Sequence, residues 1–319
     1  MRLPPGPRGV VQVWPQAKGF AADPVGAMAA IHRRYGPVAC MRILGDLLVF
    51  VAEPELVGEV LLDREGIFIK DKVTHSLGRF LGQGLLTSEN PLWRRQRRLI
   101  APSLTRRHIE LYAGAMARAA DRYARARVDG ELRDLHADMT AVTLEIVVET
   151  LFGASFTGSV ELVGQMMDAV MHNFERVSRS WKRKLPEWAP VRERRSMDAA
   201  AGVLDAMVLE IIRERRASGV LGDDLLSRLI AARDDAGSGM SDEQLRDEAV
   251  TLFVAGHETT ANALTFALML LAEHPEEDAR RRAECAAVLG DRLPGVADLP
   301  RLRQSEAVIK ESLRLYPPA

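Results

Sequence analysis

Six consecutive residues carry the densest chemistry in the chain: Ala255-Gly256-His257-Glu258-Thr259-Thr260. They fall inside the longest apolar, helix-periodic stretch, Ser241 to His274, which opens on a Ser241/Gln244 capping pattern and closes at Pro275. A glycine in mid-helix costs roughly 1 kcal/mol relative to alanine. It therefore suggests a flat group or small ligand lying against bare backbone. An acid next to a hydroxyl, in apolar surroundings, is costly unless both are hydrogen-bonded. The plainer alternative is that Thr259 bonds back to a preceding carbonyl and Glu258 meets an arginine at the helix surface. For the pair in isolation this alternative is favoured. A zinc-protease reading of His257-Glu258 fails, because Ala261 stands where the second histidine is required.

A second cluster is Trp93-Arg94-Arg95-Gln96-Arg97-Arg98. On a helix, Trp93 and Arg97 share a face, and an indole N–H beside a guanidinium suits a carboxylate or phosphate. The competing reading is a solvated arginine face with one packed tryptophan, and taken alone the segment leans that way. The basic residues comprise 37 Arg and only 6 Lys, so arginine runs are expected without any function. A third cluster, Glu311-Ser312-Leu313-Arg314 followed by Leu315-Tyr316-Pro317-Pro318, contains an i, i+3 ion pair that is ordinary by itself.

The elements around these clusters read as mainly helical. Val38–Ile43 and Leu47–Val51, flanking Leu44-Gly45-Asp46, predict a β-hairpin within a region of about residues 36–52. A short helix precedes it at Pro24–Tyr35. Helical periodicity then fills 54–316, in segments that include Pro54–Leu62, Pro91–Ile100, Arg106–Val128, Asp138–Leu151, Val160–Phe174, Val191–Ser218, Leu225–Arg233, Pro275–Leu289 and Gln304–Leu315. A single domain over 1–319 is expected. At 1.5 Å per residue the Ser241–His274 helix is about 50 Å long, and its apolar character from Ala249 to Leu271 places it at the centre.

Composition narrows the function classes. The chain has 319 residues, 47% hydrophobic and 27% charged, with a formal net charge of −1. No overall field draws it to nucleic acid or an anionic membrane. Two cysteines, Cys40 and Cys285, without CxxC spacing argue against a disulfide framework or zinc site and for a reducing compartment. No apolar run reaches membrane-spanning length, and the start lacks a signal-peptide core. A soluble, cytoplasmic, bacterial protein is expected.

In order and spacing, the three clusters resemble the signatures of the cytochrome P450 family. Supporting pieces are Gly82-Gln83-Gly84-Leu85-Leu86-Thr87-Ser88, His274-Pro275-Glu276 and Pro4-Pro5-Gly6-Pro7. The resemblance runs along essentially the whole chain. It implies a mainly α fold with a small β region, and a haem b cofactor. Thr259 would hydrogen-bond iron-bound dioxygen or its water, and Glu258 would relay protons. Ala255 and Gly256 would form the oxygen groove, and Trp93 and Arg97 would bind haem propionates. Glu311 and Arg314 would be structural, and His257 a bystander. The activity implied is insertion of one atom of O2 into a lipophilic substrate, a fatty acid or terpenoid. Its electrons would come from a separate ferredoxin- or flavodoxin-type donor with its reductase. The pocket would be lined by Lys72–Thr87, the Val160–Arg195 helices and Val254–Thr259, with Phe80, Leu85, Leu86 and Phe174 supplying apolar surface.

The family's axial thiolate lies in a loop after the Glu-x-x-Arg helix. Neither Cys40 nor Cys285 has a glycine-rich loop around it. The expectation is therefore that the axial cysteine lies beyond Ala319, that the fold is incomplete at its C-terminus, and that the chain as given is inactive. Two other classes stay open: a degenerate non-catalytic partner, and a haem protein with another axial ligand such as His257.

Overall fold

A computed structural model describes residues 3–43, 45–153, 160–178, 180, 182, 185–186 and 188–318. The chain forms two compact units, Met1–Ile69 and Lys70–Ala319.

The first unit holds α1 (Gly9–Ala22), α2 (Pro24–Tyr35), the antiparallel pair β1 (Val38–Ile43) and β2 (Asp46–Val51), and α3 (Pro54–Leu62). Val38 pairs with Val51 and Ile43 with Asp46 across the hairpin. Gly45 takes φ 89°, the left-handed conformation that glycine adopts without a Cβ penalty. Leu44, the first residue of the expected turn, lies outside the described residues. Ile31, Ala39 and Met41 form a small buried cluster against which Phe20, Phe50 and Leu48 pack. Helix α1 has no counterpart among the expected elements. Its internal Pro15 and the glycines at 9 and 19 hide the helical signal.

The second unit is helical: α4 (Lys72–Leu81), α5 (Leu92–Ile100), α6 (Arg106–Arg125), α7 (Leu135–Phe152), α8 (Val160–Ser178), α9 (Arg192–Ser218), α10 (Leu225–Ala231), α11 (Asp242–Glu273), α12 (Pro275–Leu289) and α13 (Arg303–Leu315). Helix α11 packs against α7, α9, α10, α12, α13 and α4, so it is central, as its length and apolarity require. Its start is set by the Ser241 hydroxyl, which accepts from the Gln244 N–H at 3.1 Å. The Gln244 side chain does not return the bond. Its Oε1 instead accepts from Arg95 at 3.2 Å, so the expected capping box is half made.

The main core joins Leu81, Leu99, Ile100, Val148, Leu151, Ile212, Leu226, Leu229, Leu245 and Ala249, among others. Phe80 belongs to this core at 2% exposure, set edge-on to Phe174 at 5.9 Å. Phe80, one of the residues expected to supply apolar pocket surface, is therefore a core residue. Of the four apolar residues named for that role, Leu86 is the exposed one. The sequence reading also missed α4, a short helix capped by Asp71, whose carboxylate accepts from Val73 N–H at 2.7 Å and Thr74 N–H at 3.2 Å.

Candidate active site on the central helix

Helix α11 does not bury all of its faces. Ala255, Gly256 and Thr260 are exposed and Thr259 is half-buried, whereas His257 and Ala261 are buried. At 100° per residue, positions 255, 256, 259 and 260 share one face and 257 points away from it. The sequence motif thus resolves into an open strip of small and hydroxylated residues beside a buried imidazole.

Each side chain has a defined setting. The Thr259 hydroxyl donates to the Ala255 carbonyl at 2.7 Å, and Thr260 donates to Gly256 in the same way at 2.7 Å. The internal bond of the plainer alternative is therefore present. Its other half is not: Glu258 has no hydrogen-bond or ion-pair partner among the described residues. His257 sits beside Phe253, ring centroids 5.0 Å apart, with Nδ1 3.1 Å from the Phe253 carbonyl. Gly256 has a packing reason as well as an exposed one, since a Cβ there would meet Val147 of α7 at 3.3 Å.

In α5 the arginine run divides by role. Arg95 is structural: Nε donates to Asp234 at 2.8 Å and Nη2 to the Gly239 carbonyl at 3.1 Å, tying α5 to the segment before α11. Arg98 pairs with exposed Asp235. Arg97 makes no ion pair among the described residues and lies over the Trp93 ring, 5.4 Å from its centroid. A cation stacked on an indole and left without a carboxylate is free to take an anionic ligand. Glu311 and Arg314 form a bidentate pair on α13 at 2.6 and 2.8 Å. Both are exposed, and the Arg314 hydrogen bonds hold the Glu311 carboxyl below the usual range. Such an exposed, solvent-screened pair contributes little to stability. The end of α13 is fastened instead by Tyr316, stacked on Phe266 of α11 at 4.7 Å.

Sequence reasoning missed a polar cluster one to two turns before the open strip. Gln96 is fully buried, taking a hydrogen bond from Ser88 at 2.5 Å and giving one to the Gln83 carbonyl at 2.5 Å. Asp247 accepts from the Gln83 N–H at 2.7 Å, and Glu248 from the Leu85 N–H at 2.9 Å. These bonds seat the Gly82–Ser88 loop on α11. A carboxylate pair on a helix and a glycine-rich loop were each visible, but nothing local joins them.

Chain-wide comparison identifies the fold. The cytochrome P450 family profile matches residues 3–319, and the chain belongs to that family. It is 33% identical over 98% of its length to pentalenene oxygenase of Streptomyces avermitilis, and 35% identical over 89% to cyclooctat-9-en-7-ol 5-monooxygenase of Streptomyces melanosporofaciens. The crystal structure of the cytochrome P450DA heme domain aligns over 98% of this chain with TM-score 0.85 and 27% identity. The chain spans 69% and 62% of those two relatives, and 70% of the solved chain. Family and fold imply a haem b cofactor.

Two expectations are corrected. They held that the fold is incomplete at its C-terminus and that the chain is inactive because the axial cysteine lies past Ala319. The family match runs through residue 319, the solved haem domain aligns over 98% of the chain, and Cys285 lies inside the matched region. Both expectations were drawn from the point at which the sequence stops, and a stopping point decides neither completeness nor activity. Cys285 is half-buried on α12, its sulfur 3.8 Å from the Ser305 hydroxyl. Buried Cys40 donates to the Pro4 carbonyl at 3.2 Å. Among the described residues no three His, Cys, Asp or Glu side chains gather where they could hold a metal ion, and no helix is long and apolar enough to cross a membrane.

Proposed function

We propose that the protein is a haem-dependent monooxygenase that inserts one oxygen atom of O2 into a lipophilic organic substrate, using electrons from a separate ferredoxin- or flavodoxin-type donor. The observation that carries this is the open Ala255-Gly256/Thr259-Thr260 strip, on the central helix of a chain of this family.

The residues present fit a flat macrocycle with anionic edges. Ala255 and Gly256 leave a low, side-chain-poor surface. Arg97, stacked on Trp93 and free of carboxylates, suits a propionate, and the indole N–H can add a second donor. Bound there, haem would supply the activation of dioxygen; no residue of this chain is assigned as the iron's protein ligand. Thr259 donates to Ala255 O and keeps its capacity to accept. Rotation about its Cα–Cβ bond exchanges that internal bond for one to a substrate-side water, so a proton can be held at Oγ1. Glu258, without a fixed partner among the described residues, is placed to replenish it. His257 is held among core side chains on another face of the helix, which speaks against the alternative of a histidine ligand at this position.

A lipophilic substrate is supported by the apolar lining available near the strip, including Leu85, Leu86 and Val254, and by the two relatives named as oxygenases of pentalenene and cyclooctat-9-en-7-ol. The lining expected from 160–195 includes residues outside those described. The test is to reconstitute the protein with haemin and titrate it with terpenes and fatty acids. A blue shift of the haem band with at least one class is expected. Haem incorporation with no spectral response to either class would contradict the substrate reading.

A further inference from the structure

The Gly82–Glu89 loop is held on α11 by an arrangement that the oxygenase reading does not use. Glu248 is fully buried. Its Oε2 accepts from the Leu85 N–H at 2.9 Å, while Oε1 has no partner among the described residues. On the other side of the same peptide segment, Lys70 Nζ donates to the Leu85 carbonyl at 2.9 Å and to the Ser88 carbonyl at 2.5 Å. Leu85 is thus gripped at both backbone atoms. The fit is close: a Cβ at Gly84 would fall 2.1 Å from the Thr251 hydroxyl, and one at Gly82 2.1 Å from Asp247 Oδ1. Thr251 Oγ1, three residues along the helix from Glu248, is also buried without a partner.

An ionised carboxylate does not sit comfortably here. One oxygen lacks any donor, so the charge would be buried and half-solvated. Among the described residues, two charged groups act on it. Lys70 precedes α4 and favours the anion. Asp247 is its neighbour on α11 and disfavours it, though Asp247 is itself bonded to Arg246 at 2.7 Å. At the far end of the loop Glu89 accepts from the Lys70 N–H at 2.8 Å and meets His75 at 3.0 Å.

We propose that the Glu248 carboxyl is a proton-operated latch: neutral, it keeps the Gly82–Glu89 loop seated on the central helix, and its ionisation lets the loop lift. Thr251 lies four residues, about 6 Å of helix, before Ala255. A lifting loop would therefore open the flank of the strip. The latch stands on the loop's own hydrogen bonds and packing and does not require the haem reading.

The sign follows from linkage. Burial is the largest cause raising the seated carboxyl from 4.5 to about 7, and Asp247 adds to it; the Leu85 N–H and Lys70 oppose. In the lifted state the group is exposed and titrates near its ordinary value. The seated state binds the extra proton, so seating is favoured at low pH. It weakens by up to about tenfold per pH unit between roughly 4.5 and 7, then levels.

Hydrogen exchange of the Leu85 amide, corrected for intrinsic exchange, measures this directly. The open fraction should rise with pH across that window in the wild type and be flat in Glu248→Gln, with the Val148 amide unaffected in both. Lys70→Met should move the upper break to higher pH, because the anion loses its counter-charge. A wild-type open fraction without pH dependence, or a Glu248→Gln profile with the wild-type slope, would overturn the proposal. Should Glu248→Gln fail to fold, the wild type still decides. The upper break must coincide with the titration of the Glu248 carboxyl carbon, and a break elsewhere would refute the latch.

Discussion

At the scale of single residues, the side chains of the α11 motif divide by what they touch. Thr259 is tied to its own helix by one bond, which costs little to exchange, and Glu258 is tied to nothing among the described residues. If Thr259 holds the delivered proton, Thr259→Ala keeps haem and loses coupling. Peroxide formed per NAD(P)H consumed should then rise several-fold while product falls, and unchanged coupling would remove Thr259 from the mechanism. Arg246 sets a different kind of limit. It donates to the Phe80 carbonyl at 2.7 Å and pairs with Asp205 of α9, whose carboxyl is pushed up by burial. Arg246→Met leaves a half-buried carboxyl uncompensated and should lower stability by about 2–3 kcal/mol in urea unfolding. The roles of Thr259, Glu258 and Arg97 are expectations that the family resemblance of their motifs implies. Those of Gln96, Lys70, Glu248 and Arg246 were not legible in the sequence, because their partners lie on other elements; Glu248 and Leu85 are 163 positions apart.

At the scale of elements, the strongest constraint is the approach of the Gly82–Ser88 loop to α11. Gly84→Ala would force a Cβ against the Thr251 hydroxyl and the Asp247 carbonyl, at 2.1 and 2.7 Å. Neither the helix backbone nor a short buried side chain can retreat far, so a loss of about 1–3 kcal/mol is expected. Urea unfolding checks it, and wild-type stability would show that the loop is looser than its packing. Most helices were legible because their apolar residues repeat with the helical period. The bounds of α2, α3 and α12 coincide with the sequence reading. Two escaped: α1 carries an internal proline, and α4 is only ten residues long, although Val73, Leu77, Phe80 and Leu81 in it follow the helical period. The hairpin was legible from β-branched runs around a glycine turn. The burial of single side chains was less legible, since Phe80 looks the same in sequence whether it is exposed or in the core.

At the scale of the whole molecule, arginine–carboxylate pairs link stability to acid pH. Arg133 holds the Asp138 carboxyl far below its usual range through two hydrogen bonds at 2.7 and 2.8 Å, and Arg292 does the same to Asp298. A depressed carboxylate stabilises the fold above its unfolded value near 4, and that contribution is lost as pH falls below it. Tm should therefore drop on acidification below about pH 4, and less steeply in Asp138→Asn, which has already forfeited its share. Glu248 acts in the opposite sense at higher pH, so the two effects separate in a pH series.

The central claim is that the open strip of α11, with Trp93 and Arg97, is the haem surface. It is tested most directly by haemin affinity, read from the Soret band. Arg97→Leu should weaken binding roughly 10- to 100-fold, the loss of a charge-assisted hydrogen bond. Ala255→Phe should abolish it by filling the groove. Arg118→Leu, which removes an exposed arginine 3.4 Å from Glu149 on α7, should leave it unchanged. Equal affinity across the three variants would contradict the account.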